Sequence, residues 1–504
     1  MNTNLKSENL NERGAGILMH ITCLPSKYGI GTFGNAAIKF IDFLSQAGFK
    51  YWQVLPLGPT GYGDSPYQCF SSFAGNPYLI DLTILKNEGF LTAEDLADAD
   101  FGNSPDKVDF GKLYQNRFSV LRKAFIKSER SEINEFFNTK AKHFKSGIED
   151  YALFAAMKTH NRAPWYEQEK AVKFRDTVET EKFKIKHFSE IEFHKFVQWL
   201  FLKQWFALKE YANSKGVRII GDLPIYSAHD SADCWVQPEC FLFDENRMPT
   251  FVGGCPPDYF SADGQLWGNP LYNWRYMEET NQEWWLKRIS CNLQLFDYLR
   301  LDHFRGFESF WAIPSGDLTA KNGSWKKGPG ISFFKSLEKK LGHLPVIAED
   351  LGLLDDAVLK LRDNTGYPGM KVLQFAFNPN AESEYLPHNF TTTNCVAYTG
   401  THDNSTMQGW LNYADKQEIE FALKYLNIKN KDEFSFACIQ SIVASIAKIA
   451  IAPVQDFLNL DDKARMNHPS KTGGWVWRMT EAQFADLQKQ TFIIRDMLKT
   501  YGRI

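Results

Sequence analysis

Several short apolar runs in this chain end in acidic residues. Asp222 closes RIIGDLP, Asp302 closes YLRLDHF, and Glu349 with Asp350 closes LPVIAED. Asp403 follows His402 in GTHD, and Asp456 follows Gln455 in PVQD. Carboxylates brought to one face support two chemistries. One is divalent-metal binding; the other is glycosyl transfer by a carboxylate paired with a carboxylic acid. Metal-dependent barrel hydrolases draw on several histidines, yet no His-x-His follows the first apolar run and no His-Glu-x-x-His occurs. No G-x-S-x-G elbow is present for a serine nucleophile. Glycosyl transfer fits better. Asp302 is the candidate nucleophile. Arg300, two residues earlier, points to the same side of a strand and keeps Asp302 ionised. Glu349 is the candidate acid and base, its pKa raised by a closed site. At any one strand end the alternative is a helix N-cap, and Asp350 and Asp456 are expected to be caps of that kind.

Such residues need elements to hold them. Eight apolar, β-branched runs qualify as strands: 16–22, 51–57, 218–225, 298–304, 344–350, 371–377, 396–403 and 449–457. Amphipathic helical patterns precede most of them. Asn35 is expected to cap NAAIKFIDFLSQA, with Gly48 ending that helix; 192–216 and 332–342 lead into the third and fifth runs. Alternating strands and helices imply right-handed βαβ units, and eight units imply an α/β (β/α)8 TIM barrel. The ends of adjacent strands lie ~4.8 Å apart, which suits the ~5–5.5 Å carboxylate separation of retaining chemistry. The other architecture, a doubly wound sheet, is announced by a Gly-rich turn after its first strand. GIGTFG (29–34) has that spacing, but it lies well beyond the run and no acidic residue closes the unit about 20 residues later.

About 160 residues separate the second and third runs, far beyond ordinary loops. The stretch contains helical patterns such as 113–129, so 75–195 reads as a mostly helical insertion on a single barrel spanning 1–504. A second insertion, 230–280, is rich in Gly, Pro and aromatics, and GSWKKGPG (323–330) reads as an exposed loop. Net charge is −3 with basic residues dispersed, which excludes a nucleic-acid footprint. No apolar run approaches the ~18 residues of a membrane span, the N-terminal residues show no signal-peptide core, and none of the eight cysteines forms a C-x-x-C pair. These features imply a cytoplasmic protein with no membrane partner and reduced thiols.

The motifs LPSKYGIGTFG, YWQVLPLGPTGYGDSPYQCFSSFAGNPYLIDL, GDLPIY, PPDYFSADGQLWGNPLY, RLDHFRGF, AEDLG and TGTHDN occur in that order. With them the chain resembles, from about residue 14 to its end, the 4-α-glucanotransferases of the amylomaltase or disproportionating-enzyme type, glycoside hydrolase family 77. The resemblance implies a barrel without a C-terminal β-sandwich and no cofactor or metal. It implies that Asp302 forms a covalent glucosyl-enzyme, that Glu349 is acid then base, and that Asp403 binds the 2- and 3-hydroxyls of the distorted sugar. Arg300 and His402 then orient these groups. Tyr67 and Asp222 line the non-reducing side, Tyr67 by stacking. Trp267 and Asp258 belong to a lid-like loop, and Tyr62 to a secondary glucan site. His303 is either a substrate ligand or a structural partner of Asp302, whereas Arg305 reads as structural. Four departures stand out: CLP at Cys23, Cys255 before PPDYF, Ser405 in place of a usual Asp, and the altered NHPSKTGGWVWR (467–478).

Carboxylate geometry does not separate a hydrolase from a transferase, because both pass through the same intermediate. The resemblance points to transfer of α-1,4-glucan segments between maltooligosaccharides. A retaining α-glucan hydrolase, or a non-catalytic glucan-binding barrel, are the readings left beside it.

Overall fold

Twelve strands are present among the residues described by this computed structural model, namely 12–61, 63–257, 261–352, 354–469 and 473–504. They are β1 (Gly14–Leu18), β2 (Tyr51–Gln53), β3 (Arg218–Leu223), β4 (Phe251–Cys255), β5 (Gln265–Pro270) and β6 (Tyr298–Leu301). Then follow β7 (Ser309–Pro314), β8 (Ser324–Lys327), β9 (Val346–Ala348), β10 (Gly369–Val372), β11 (Cys395–Tyr398) and β12 (Ile449–Pro453). Eight of them pair in parallel in the order β10-β11-β12-β1-β2-β3-β6-β9. The Ala348 N–H donates to the Pro368 carbonyl at 2.9 Å and brings β9 against β10, so the sheet closes on itself. The expected eight-stranded α/β barrel is what forms, and no strand follows β12 among the described residues. The chain ends instead in helices Glu481–Lys489 and Thr491–Thr500. No helix among the described residues is long and apolar enough to cross a membrane.

All eight expected strands are present but shorter at their C-terminal ends. The reason is visible at β9, where Glu349 and Asp350 leave the ladder to bond elsewhere. Asp350 is not a helix cap. It is 3% exposed, accepts the Met370 N–H at 2.7 Å, and pairs with Arg362 at 2.5 Å. A Cβ on Gly369 would lie 2.4 Å from its Oδ2, so glycine is needed for this close approach. Asp350 thus staples the seam where the barrel closes. Asp350→Ala would leave the buried Met370 N–H without its acceptor and Arg362 with Asp363 as its remaining carboxylate partner. It should lower unfolding free energy by about 3 kcal/mol, read from the urea midpoint at constant m-value. Asp456 is likewise no cap: it accepts the Thr399 hydroxyl at 2.6 Å and the Met407 N–H at 2.8 Å, tying the end of β12 to the loop after β11. At helix Asn35–Ala47 the capping position falls on Gly34, not Asn35, and Gly48 at φ +88° ends the helix as expected.

Between β2 and β3 the chain forms helices including Phe110–Phe125, Lys145–Asn161 and Phe188–Ser214. The long helix Phe188–Ser214 reaches back to the barrel with two buried glutamines. Gln198 bonds both backbone groups of Gly75 (2.7 and 2.9 Å), and Gln204 does the same at Asp81 (2.7 and 3.2 Å). The segment that carries Tyr67 is latched in this way. The 230–280 region holds strands the sequence did not suggest. β5, β4, β7 and β8 form an antiparallel sheet, and the expected loop GSWKKGPG contributes β8 as an exposed edge strand. The Gly pair in β4 and the Lys pair in β8 mask a strand pattern that only pairing makes favourable.

Candidate active site

The site is built on three neighbouring strands. In register, Asp222 of β3 faces Arg300 of β6, and Leu301 faces Ala348 of β9. Asp302 and Glu349 are the next residues along, so they leave adjacent strands at one level. Their backbones stay paired one step past the strands: the Asp302 N–H donates to Leu223 O and the Glu349 N–H to Leu301 O, both at 3.1 Å.

Arg300 is the hub. It is 2% exposed, and its Nη1 donates to Asp222 Oδ1 and Oδ2 (2.8 and 2.7 Å) and to Asp302 Oδ1 (2.9 Å). Its Nη2 lies 3.5 Å from Glu349 Oε2. One cation therefore serves three carboxylates, which cannot all be ionised cheaply in a closed site. Burial, with repulsion from Asp302 and against the pull of Arg300, pushes the Glu349 carboxyl up to about 8. Burial also raises Asp222, against Arg300. The guanidinium, by contrast, is held more firmly protonated by its three anions despite burial. The group best placed to hold a proton at neutral pH is Glu349.

Glu349 is also gripped from the backbone. The His303 N–H donates to its Oε2 at 2.5 Å, and the Phe304 N–H donates to the Glu349 carbonyl at 3.1 Å. His303 adopts φ +47°, a left-handed conformation that a non-glycine residue holds only when its surroundings enforce it. Its ring meets the edge of Trp267 at 4.8 Å, and burial lowers its pKa to about 4, so it is a neutral imidazole here. Trp267 is half-buried on β5, with its indole N–H on Gln265 Oε1 at 3.1 Å. Arg305 turns away to Asp355 (2.9 Å) and lies over the Trp325 ring at 4.1 Å.

The third carboxylate is held differently. Asp403 is 43% exposed at its side chain and stands 3.3 Å from His402 Nε2. Its Oδ1 accepts the Asn467 side-chain N–H at 2.6 Å. Tyr67 donates its hydroxyl to Asp222 Oδ2 at 2.9 Å and stacks on His402, with centroids 5.1 Å apart and planes within 13°. Trp475 lies 5.8 Å from both rings. Sequence reasoning missed Arg465, Asn467 and Trp475. The Asn, Gly and Trp of NHPSKTGGWVWR were a signal of an exposed ligand loop, but nothing in the sequence said which strand end it would meet. The structure gathers Asp222, Arg300, Asp302, His303, Glu349, His402, Asp403, Tyr67 and Trp267 around one mouth of the barrel; Tyr62 and Asp258 lie outside the described residues.

Among the described residues no group of three or more His, Cys, Asp or Glu side chains is arranged to hold a metal. A parallel barrel with a carboxylate pair on one buried guanidinium, and a third carboxylate across the mouth, defines an enzyme of the class that works on glycosidic bonds. The profile described as 4-alpha-glucanotransferase matches residues 19–484, and the chain belongs to that family. It is 46% identical over 489 residues to a 4-alpha-glucanotransferase of Clostridium butyricum, covering 96% of this chain and 100% of the relative. With the 4-alpha-glucanotransferase of Thermus thermophilus it shares 45% over 484 residues, covering 94% and 96%. Its fold is similar to the amylomaltase from Streptococcus agalactiae in complex with acarbose, at TM-score 0.93 and 40% identity, covering 98% of this chain and 100% of that one.

Proposed function

We propose that this chain is a 4-α-glucanotransferase that moves α-1,4-glucan segments between maltooligosaccharides with net retention. In the first step the Asp302 carboxylate attacks the anomeric carbon. The glycosidic bond breaks, and its electron pair goes to the leaving oxygen, which takes the Glu349 proton. In the second step the 4-hydroxyl of an acceptor glucan attacks that carbon and gives its proton to the Glu349 carboxylate, and the bond to Asp302 breaks. Asp403 grips the 2- and 3-hydroxyls, while Arg300 and His402 orient the three carboxylates. Tyr67 and Asp222 line the non-reducing side, and Trp267 covers the mouth. The observation that carries this reading is the pair of carboxyls on neighbouring strands, Asp302 bonded to the buried Arg300 guanidinium and Glu349 with its proton favoured by burial.

The segments 75–195 and 230–280 are insertions on one catalytic barrel spanning 1–504, and the second acts as a lid. Together they exclude water from the covalent intermediate so that a sugar hydroxyl arrives first. Six buried thiols (Cys23, Cys234, Cys240, Cys291, Cys395 and Cys438) suit a reducing compartment, which supports a cytoplasmic location.

Maltotriose as sole substrate separates transfer from hydrolysis. Glucose and a ladder of longer chains should appear while total reducing ends stay constant. A rise in reducing ends matching each bond broken would make the protein a hydrolase, and no reaction would leave it a glucan binder.

A further inference from the structure

Asp403 is the one member of the carboxylate set that Arg300 does not hold. Asp302 and Glu349 are carried by paired strands, whereas Asp403 stands five residues past β11, on a turn closed by Asn404. The Asn404 Oδ1 accepts from the Thr401 N–H (2.8 Å) and hydroxyl (2.9 Å). That turn orders its own backbone but leaves the direction of the Asp403 side chain to other contacts. The carboxylate meets His402 Nε2 (3.3 Å) and the Asn467 amide (2.6 Å), and the loop that carries Asn467 is held by one residue. The Arg465 guanidinium donates from Nη2 to the Asp403 carbonyl at 2.5 Å, from Nε to the Asn467 carbonyl at 2.7 Å, and from Nη1 to the Ser405 hydroxyl at 3.1 Å. The Ser405 hydroxyl donates a hydrogen bond to Asp462 Oδ2 at 2.9 Å, and Asp462 Oδ1 accepts the Thr406 N–H at 3.0 Å.

We infer that Arg465 is a positioning residue for Asp403, fixing the loop after β11 and the loop after β12 as one unit so that Asn467 meets the carboxylate. The guanidinium is suited to this because its planar fork reaches three acceptors without rotating. It grips Asp403 from the main chain, and through Asn467 it sets the side-chain amide that bonds Oδ1. The unit is further closed by the Asn467 N–H on the His402 carbonyl at 3.2 Å. A neutral hydroxyl, that of Ser405, bridges Arg465 and Asp462. The inference rests on the proposed role of Asp403 in binding the reacting sugar.

The test is a double-mutant cycle on fluoride release from α-maltotriosyl fluoride with maltose as acceptor, run on the parent, Arg465→Met, Asp403→Asn and the double variant. Arg465→Met should lower kcat roughly 10- to 100-fold with KM changed less than about twofold. On the Asp403→Asn background the same change should have little further effect, because the residue acts through Asp403. Arg465→Lys, which keeps the charge without the fork, should lose nearly as much and serves if the Met variant does not fold. Unchanged kcat, a loss confined to KM, or equal losses on both backgrounds would each overturn the inference. Parental turnover in Asp403→Asn alone would instead refute the role of Asp403.

Discussion

Asp302→Asn is expected to abolish transfer, lowering kcat on maltotriose by on the order of 10⁴-fold or more, which is about 5 kcal/mol of transition-state stabilisation. The amide is isosteric but cannot form the ester-like bond to the anomeric carbon. The site itself should persist, since Arg300 keeps both contacts to Asp222 and the Asp302 N–H keeps its bond to Leu223. Maltotriose should therefore still bind, with calorimetry giving a dissociation constant within about threefold of the apparent value for the parent. A second signature distinguishes loss of the nucleophile from a general lesion. Repulsion from Asp302 helps to hold the Glu349 proton, so in Asp302→Asn that proton should come off at lower pH. Carbon-13 labelling of the Glu carboxyl would follow it. Parental turnover in the variant would remove Asp302 from the role of nucleophile.

Glu349→Gln should carry the next largest effect, a fall of roughly 10²- to 10⁴-fold on unactivated glucans. The loss should be much smaller on an α-glucosyl fluoride donor, whose leaving group needs no proton. Azide should intercept the stalled intermediate and give an α-glycosyl azide, because two inversions retain configuration. The pH profile provides the independent check. As the acid of the first step Glu349 would have to be protonated, and burial pushes its carboxyl up to about 8, so parental kcat/KM should decline as pH rises through about 8. In Glu349→Gln that alkaline limb should vanish.

Stability follows the same proton with a definite sign. The folded pKa of Glu349, about 8, lies above its ordinary value of 4.5, so the folded state binds this proton more tightly than the unfolded chain. The contribution is fully favourable below about 4.5 and is lost progressively as pH climbs towards about 8. Glutamine cannot ionise and escapes the loss. Glu349→Gln should thus melt at a higher temperature than the parent above about pH 5, the gap widening to about pH 8 and then holding steady. A gap of the opposite sign would mean that the carboxylate is stabilised as an anion, and Glu349 would no longer qualify as the acid. Burying an ionisable Glu349 leaves the barrel in this respect less stable than it could be.

The sequence by itself determined the barrel and most of the site. Apolar runs interrupted by helical periods specify parallel strands, and a polar residue placed where each run stops must emerge at the common C-terminal mouth. Asp302, Glu349 and Asp403 could be found that way because strand direction and side-chain alternation are local properties. Arg300 was legible for the same reason, two residues before Asp302. What the tertiary structure alone decided depends on contacts between residues far apart in the chain. Asp350 and Asp456 look like helix caps in one dimension, yet Asp350 bonds the start of β10 at the closing seam and Asp456 bonds Thr399 just past β11. Strand β4 forms between β5 and β7, and β8 forms along the other side of β7, while the Gly content of β4 and the Lys content of β8 conceal them in sequence. The assignment of the proton to Glu349 needed the geometry of one guanidinium among three carboxylates, since burial and charge together set a pKa and neither is written in residue order. Arg465 and Asn467 were invisible for the same reason: 62 and 64 residues beyond Asp403, they reach it only because folding brings the end of β12 beside the end of β11.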